Sequence, residues 1–427
     1  MELALLILLA VLLIACTVFS IAAVKGLAVW FVLLFIYELS KGRDAGSLIR
    51  ACLKNIKQTA PVILNLLFVG MLSSQLRASG TITAVISLCL RFVTPVLVLP
   101  SIFVICSVMS LCTGSAFASA ATAGVICASL GASSSLPAPL YCGAILSGIY
   151  LGDRMSPLSS SANLVAGITG NDIYTDFRMM LRGFPLPFLS AVVLYLGAGL
   201  LFSSGCDTVT AAAGETHWIS LLPIGMIVVM SLLRINSKLV LFLTSAVCLM
   251  ISVLCCHTGI VQALLQLFSG YHTDDPSLSM LNGGGAFSMI SPALTLLVST
   301  FIIGIFNYTG FLEPIGKTIR EIRLPVTVKN LLLSIVSSAI AGSQTMAIMF
   351  TTVLCTENFA SKEEKALFLE NTCVLFTAVI PWDISYSVPA ASIGSPAACI
   401  FFAFYIYLVP LFYFLGKKKR LPSSETI

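Results

Sequence analysis

Apolar residues run along this chain in long, nearly unbroken blocks, and polar residues are compressed into the gaps between them. Residues 3–24, 184–202, 218–233, 239–256, 292–306 and 397–415 form such blocks. Each is close to the roughly 20 residues a helix needs to cross a hydrocarbon core. Shorter segments interrupted by Gly and Pro lie between them. The pattern predicts an all-α polytopic membrane protein with about 10–12 transmembrane helices. The first block allows one or two helices before residue 40, with Lys25-Gly26 as the expected break.

One stretch departs from this pattern and organises the rest. It reads Ser147-Gly148-Ile149-Tyr150-Leu151-Gly152-Asp153-Arg154-Met155-Ser156-Pro157-Leu158-Ser159-Ser160-Ser161-Ala162-Asn163. A charged, helix-breaking segment at membrane depth persists only where it is buried in protein or lines a watery cavity. Upstream, Thr113-Gly114-Ser115 opens a run dense in small residues.

The same landmarks return in the same order roughly 230 residues later, as paired breaks in two transporter halves would. Ser291-Pro292 leads to Tyr308-Thr309-Gly310 as Ala60-Pro61 leads to Ser79-Gly80. Ala341-Gly342-Ser343-Gln344 follows as Thr113-Gly114-Ser115 does. Thr377-Ala378-Val379-Ile380-Pro381-Trp382-Asp383-Ile384-Ser385 takes the place of the Ser156–Asn163 segment. Two repeats with broken helices are the expected architecture. Residues 1–50 would be N-terminal transmembrane helices, 51–204 a first transport repeat, 205–285 connector loops and helices, and 286–427 a second repeat with a basic tail.

Composition sharpens the class. Of 427 residues, 58% are hydrophobic and 10% charged, against roughly 25% charged in soluble domains. The net charge of +5 does not point to nucleic acid, because Lys and Arg gather in short loops. Lys41–Lys57, Arg178 and Arg182, Arg234 and Lys238, Lys317–Arg323 and the Lys417–Arg420 tail are such groups. This is the distribution of cytoplasmic loops, and it places the tail in the cytoplasm. The 14 Cys are scattered through apolar blocks and read as small buried hydrophobes. The sequence holds no HExxH, no GxSxG and no phosphate loop, so enzyme chemistry is not expected.

A helix interrupted in mid-membrane offers free N–H groups at one end and free carbonyls at the other. Candidate ligands for an ion or substrate gather at the paired breaks: Thr113, Ser115, Asp153, Ser156, Ser159, Ser160, Asn163, Ser343, Gln344, Glu370 and Asp383. Asp153-Arg154 admits two readings, an ion pair pinning the break or an ion ligand at Asp153. Asp383, directly after Pro381-Trp382, is the leading proton-carrying carboxylate. A Na+ site is suspected at Asp153 and Asp383.

These landmarks resemble the NhaC-type sodium/proton antiporter family. The passage from Ser147 to Ser159 is similar to that family's S-G-A-Y-F-G-D-K-M-S-P-L-S signature, and Thr113-Gly114-Ser115 to its T-G-T/S segment. Leu369-Glu370-Asn371 with Ile380-Pro381-Trp382-Asp383 resembles its L-E-D and I-P-W-N segments. The resemblance implies a multi-pass carrier in the inner or plasma membrane, built from two inverted repeats, that exchanges Na+ for H+ by alternating access. Some relatives exchange carboxylates such as malate and lactate.

The chain departs from the family pattern at several positions. Ser160-Ser161-Ala162-Asn163 lacks an Asp the family usually carries, and Gly342-Ser343-Gln344 stands where G-D-Q is usual. Glu370-Asn371 replaces an E-D pair, whereas Asp383 replaces an Asn. Fewer acids and more hydroxyls also fit a Na+- or H+-coupled carrier for an organic anion or amino acid. No cofactor is expected beyond the transported Na+ and H+. The expected partners are the lipid bilayer and a small cation or organic anion, with a homodimer as the oligomer allowed for and no nucleic acid.

Overall fold

The computed structural model describes residues 2–18, 21, 23–54, 56–84, 94–134, 136–202, 218–233, 235, 237–273, 282–311, 314, 321, 324–355, 359–381 and 383–418. Arg234, Lys317, Arg320, Arg323, Arg420 and Trp382, which entered the sequence reading, lie outside the described residues.

The described chain is helical almost throughout, with one isolated bridge between Tyr271 and Gly283. Three helices are long and apolar enough to cross a membrane unaided: Pro95–Thr113, Pro185–Phe202 and Ala286–Thr309. A fourth span is formed if Lys362–Val379 and Ile384–Ile393, bent by 52°, are taken together. Shorter apolar helices such as Lys238–Leu254, Val326–Ala341 and Gln344–Leu354 carry the remaining blocks. Ala23–Ser40, Ile56–Ala78 and Ala138–Met155 are further helices of 18 residues or more. Block 397–415 splits at Ala403 into a 3-10 turn and the Phe404–Lys418 helix. At the N-terminus, helices Glu2–Val18 and Ala23–Ser40 put the interruption before Lys25-Gly26, which lies inside the second helix.

The outward faces identify the solvent. On Pro185–Phe202, Ala191, Tyr195 and Gly199 are buried, while Leu189, Val193, Leu200 and Leu201 are exposed. A helix that presents leucine and valine outward belongs in lipid, since water would leave that surface uncompensated. The protein is an all-α polytopic membrane protein.

Its centre is the seam between Val98–Thr113 and Ala138–Met155. Gly148 and Gly152 face the partner helix, and a Cβ on Gly152 would lie 2.2 Å from Leu111 N and from the Ser110 carbonyl carbon. The seam is therefore close enough for side chain to meet backbone: Ser110 Oγ donates to the Ile149 carbonyl, and Ser156 Oγ to the Leu111 carbonyl at 2.9 Å. Gly152→Ala is expected to lower stability by about 3 kcal/mol, the upper end for overpacking, because backbone cannot step aside. A thermal unfolding curve in detergent would read this as a lowered midpoint; an unchanged midpoint would mean the seam is looser than described.

Breaks recur in matching form in the two halves. Val98–Thr113 and Val326–Ala341 are each 16 residues long and end on left-handed glycines, Gly114 (φ 64°) and Gly342 (φ 65°). An extended serine follows each, Ser115 and Ser343, and the chain re-enters helix. Further on, Ser160–Thr169 and Ile384–Ile393 are each ten residues long, preceded by extended Ser159 and Asp383 and ended by left-handed Gly170 and Gly394. Glycine is required at 114 for a second reason, since a Cβ there would lie 2.6 Å from the Leu158 carbonyl carbon. The two breaks of the first half thus rest directly on one another.

Candidate functional site

Asp153 sits in the last turn of Ala138–Met155 and is 5% exposed. Its carboxylate collects donors from three elements. Oδ1 accepts from Ala116 N at 3.3 Å and Ser159 Oγ at 3.5 Å. Oδ2 accepts from Gln344 Nε2 at 3.0 Å and Ser161 Oγ at 3.4 Å. Ala116 opens the helix after the Gly114–Ser115 break, where free N–H groups and the helix dipole favour an anion. Ser159 and Ser161 belong to the next break and bond one another at 2.8 Å. Gln344 opens the helix after the Gly342–Ser343 break of the second half. It also donates to the Val374 carbonyl at 3.1 Å.

The second carboxylate, Asp383, is fully buried at the start of Ile384–Ile393. Its Oδ1 accepts from Ser385 N at 2.7 Å, a helix cap, and its Oδ2 has no partner. Ile384 N donates to the Gly342 carbonyl at 3.1 Å, so this cap is tied to the break that presents Gln344. Tyr150, one turn before Asp153, donates its hydroxyl to the Ser385 carbonyl. The two carboxylates are thus linked through Tyr150 on one side and Gly342–Gln344 on the other.

The structure brings Asp153, Ser159 and Gln344 together, with Ser115 supplying the turn that aims Ala116 N. The other candidates have other tasks. Thr113 bonds Ser119 at 2.8 Å across the first break. Ser156 braces Leu111 and also accepts from Leu158 N at 3.2 Å. Asn163 is exposed and ties the loop through the Ser159 carbonyl at 2.7 Å, and Ser160 is exposed beside it. Ser343 makes no side-chain cap bond.

Glu370 is 1% exposed, with no hydrogen bond at either oxygen, on the Lys362–Asn371 helix. It stands apart from the Asp153 cluster, although the charges of Arg154, Asp153 and Asp176 act on it through space. Asp153 and Arg154 do not pair: Arg154 Nη1 donates to Tyr405 Oη at 2.8 Å. Among the described residues no three His, Cys, Asp or Glu side chains cluster, so any cation here would rest on single carboxylates plus hydroxyl, amide and carbonyl oxygens.

Sequence reasoning passed over Tyr150 and Ser385. A signal for each was present. Tyr150 stands three residues before Asp153, on the same helical face. Ser385 stands two after Asp383, where a capping carboxylate finds its N–H.

Comparison with known proteins identifies the family. The family described as "Na+/H+ antiporter family" matches residues 148–415, which include the Asp153, Gln344, Glu370 and Asp383 positions. The chain is 24% identical to the Na(+)/H(+) antiporter NhaC of Bacillus subtilis, over 92% of this chain and 89% of that one. It is 24% identical to the Malate-2H(+)/Na(+)-lactate antiporter of the same organism, over 83% and 80%. With the Arginine/ornithine antiporter ArcD of Halobacterium salinarum it shares 26% identity over 84% and 80%. The family match spans well over half of the chain, so this protein belongs to the NhaC-type Na+/H+ antiporter family.

Proposed function

We propose that this protein exchanges Na+ for H+ across the cell membrane, through the site centred on Asp153. The carrying observation is a single buried carboxylate that gathers donors from breaks in both halves of the chain. Na+ and H+ each neutralise that carboxylate. A bare charge in a low-dielectric interior is costly, so one leaves as the other arrives. The surroundings suit both forms. The hydroxyls of Ser159 and Ser161 rotate to offer lone pairs to a cation, and a half-turn of the Gln344 amide presents its oxygen instead of its nitrogen. Asp383, with one oxygen unpartnered, is the second proton-carrying group.

Exchange follows if the cation site faces the two sides of the membrane alternately, with the Gly342–Gln344 break as the moving contact. The protein carries out no covalent chemistry in this reading, needs no cofactor, and takes the lipid bilayer as its partner. The test is a proton-flux assay on the purified protein in vesicles with a preset pH gradient. Addition of Na+ or Li+ is expected to collapse the gradient, and K+ is not. A gradient insensitive to Na+ and Li+ would overturn the exchanger reading.

A further inference from the structure

A ladder of carboxylates leads inward from the surface toward the Asp153 site. It is built on two helices that pack together, Ile173–Gly183 and Lys362–Asn371. Asp172 and Asp176 stand four residues apart, on one side of the first helix. Glu363 and Glu370 stand seven apart on the second, again on one face, with Glu370 about 10 Å further along. Exposure falls along the series. Asp172 is exposed and Glu363 half-buried, while Asp176 is 3% and Glu370 1% exposed.

Neighbouring rungs face one another. The charges of Glu363 and Asp172 act on Asp176, and those of Arg154, Asp153 and Asp176 act on Glu370. Cys373, three residues further on, also faces Glu370. Ile173–Gly183 is not among the spanning helices, and on it burial pushes the Asp176 carboxyl up, against a bond from Asn171 Nδ2 to Oδ1 at 3.0 Å. At the mouth, Lys362 reaches over the Gly170 turn. Beside it lies a cavity of about 700 Å3 whose wall includes Arg154, Arg182, Glu363, Glu364 and Asn371.

The deep rungs are the telling ones. Asp176 Oδ2 is buried without a hydrogen-bond partner, and so are both oxygens of Glu370. A carboxylate that serves as a brace at such depth is tied down by donors, as Asp153 is. Arg154 offers Glu370 a counter-charge but no hydrogen bond, since its Nη1 goes to Tyr405 Oη.

We propose that Asp172, Glu363, Asp176 and Glu370 form the proton conduit that joins the aqueous surface to Asp153. In each transfer one O–H bond breaks as the next forms, directly or through a water, and the last leaves Asp153 neutral as Na+ departs. Asp176 and Glu370 accept on oxygens that nothing else engages. While Glu370 is ionised between transfers, Arg154 balances its charge. The cavity holds the water at the mouth. Gly416 on its wall sets that mouth on the side of the basic tail, which the charge distribution assigns to the cytoplasm. The inference rests on the exchanger reading and supplies the route its proton takes.

The test assays the purified full chain in vesicles in two modes. Sodium-driven proton flux needs the conduit, whereas exchange of radioactive Na+ for internal Na+ moves no proton and does not. Glu370→Gln breaks no hydrogen bond and is expected to slow proton flux by about 100-fold, the lower end for a lost proton-transfer group. Asp176→Asn keeps an oxygen for Asn171 and should slow proton flux too, most at high pH where free protons are scarce. In both variants Na+-for-Na+ exchange stays at the wild-type rate, which also reports an intact fold. Equal loss of the two modes in both variants would make these residues structural and overturn the conduit. Proton flux of wild-type size in both variants would overturn it as well, with the exchanger left standing. Wild-type protein that exchanges Na+ for Na+ but moves no proton when Na+ is added defeats the exchanger, and the conduit with it.

Discussion

Asp153→Asn is expected to reduce sodium-driven proton flux by about 100-fold or more, while the protein stays folded in the membrane. The size follows from taking away the charge that would balance the cation: a contact to a charged group is worth up to about 3 kcal/mol, roughly 100-fold in binding, while a neutral amide leaves no bare charge to destabilise the fold. The variant keeps the shape of the side chain and an oxygen able to accept from Ala116 N or Gln344 Nε2. What it loses is the ability to be neutralised by either Na+ or H+. The check is the flux assay paired with a thermal unfolding midpoint. Lost flux with an unchanged midpoint locates the function at Asp153. Retained flux would remove Asp153 from the ion path and leave it as a brace between the two breaks.

Asp383→Asn is expected to abolish the proton side of the exchange with little effect on folding. Its Oδ1 caps Ser385 N at 2.7 Å, and an asparagine oxygen can do the same. Its Oδ2 has no partner, so the cap does not use it. The amide therefore preserves structure and deletes one titratable oxygen. Asp383→Ala is the informative companion, because it also deletes the cap and should cost about 1 kcal/mol of stability. If both variants lose pH-gradient collapse and only the alanine form melts early, the carboxylate acts as a proton carrier. Equal flux in Asp383→Asn and wild type would confine Asp383 to capping.

Much of this was legible in the chain itself. The stretch from Ser147 to Asn163 departs from the hydrophobic blocks around it, and that contrast marked Asp153 with Ser156, Ser159, Ser160 and Asn163 as candidates. The glycine–serine pairs at 114–115 and 342–343 announced breaks, and both are breaks of the same form. Two things were hidden. One is direction: adjacent Asp153 and Arg154 invite pairing, yet successive residues on a helix point about 100° apart, and Arg154 finds Tyr405, 251 residues away. The other is hydroxyl bookkeeping. Ser156, Ser159, Ser160 and Asn163 look interchangeable in sequence, and of these only Ser159 bonds the Asp153 carboxylate, joined by Ser161.

The glycine seam between Val98–Thr113 and Ala138–Met155 bears on how the carrier divides its labour. Gly148 and Gly152 let the two helices meet at backbone distance, and Asp153 is the very next residue. The carboxylate is therefore held fast against the first break. Gln344 comes from the other half and reaches across through a lone 3.0 Å side-chain bond to the carboxylate. If Na+ takes the Asp153 site as proposed, it competes for the very oxygen that Gln344 holds, so loading the cation and loosening the contact between the halves become one event.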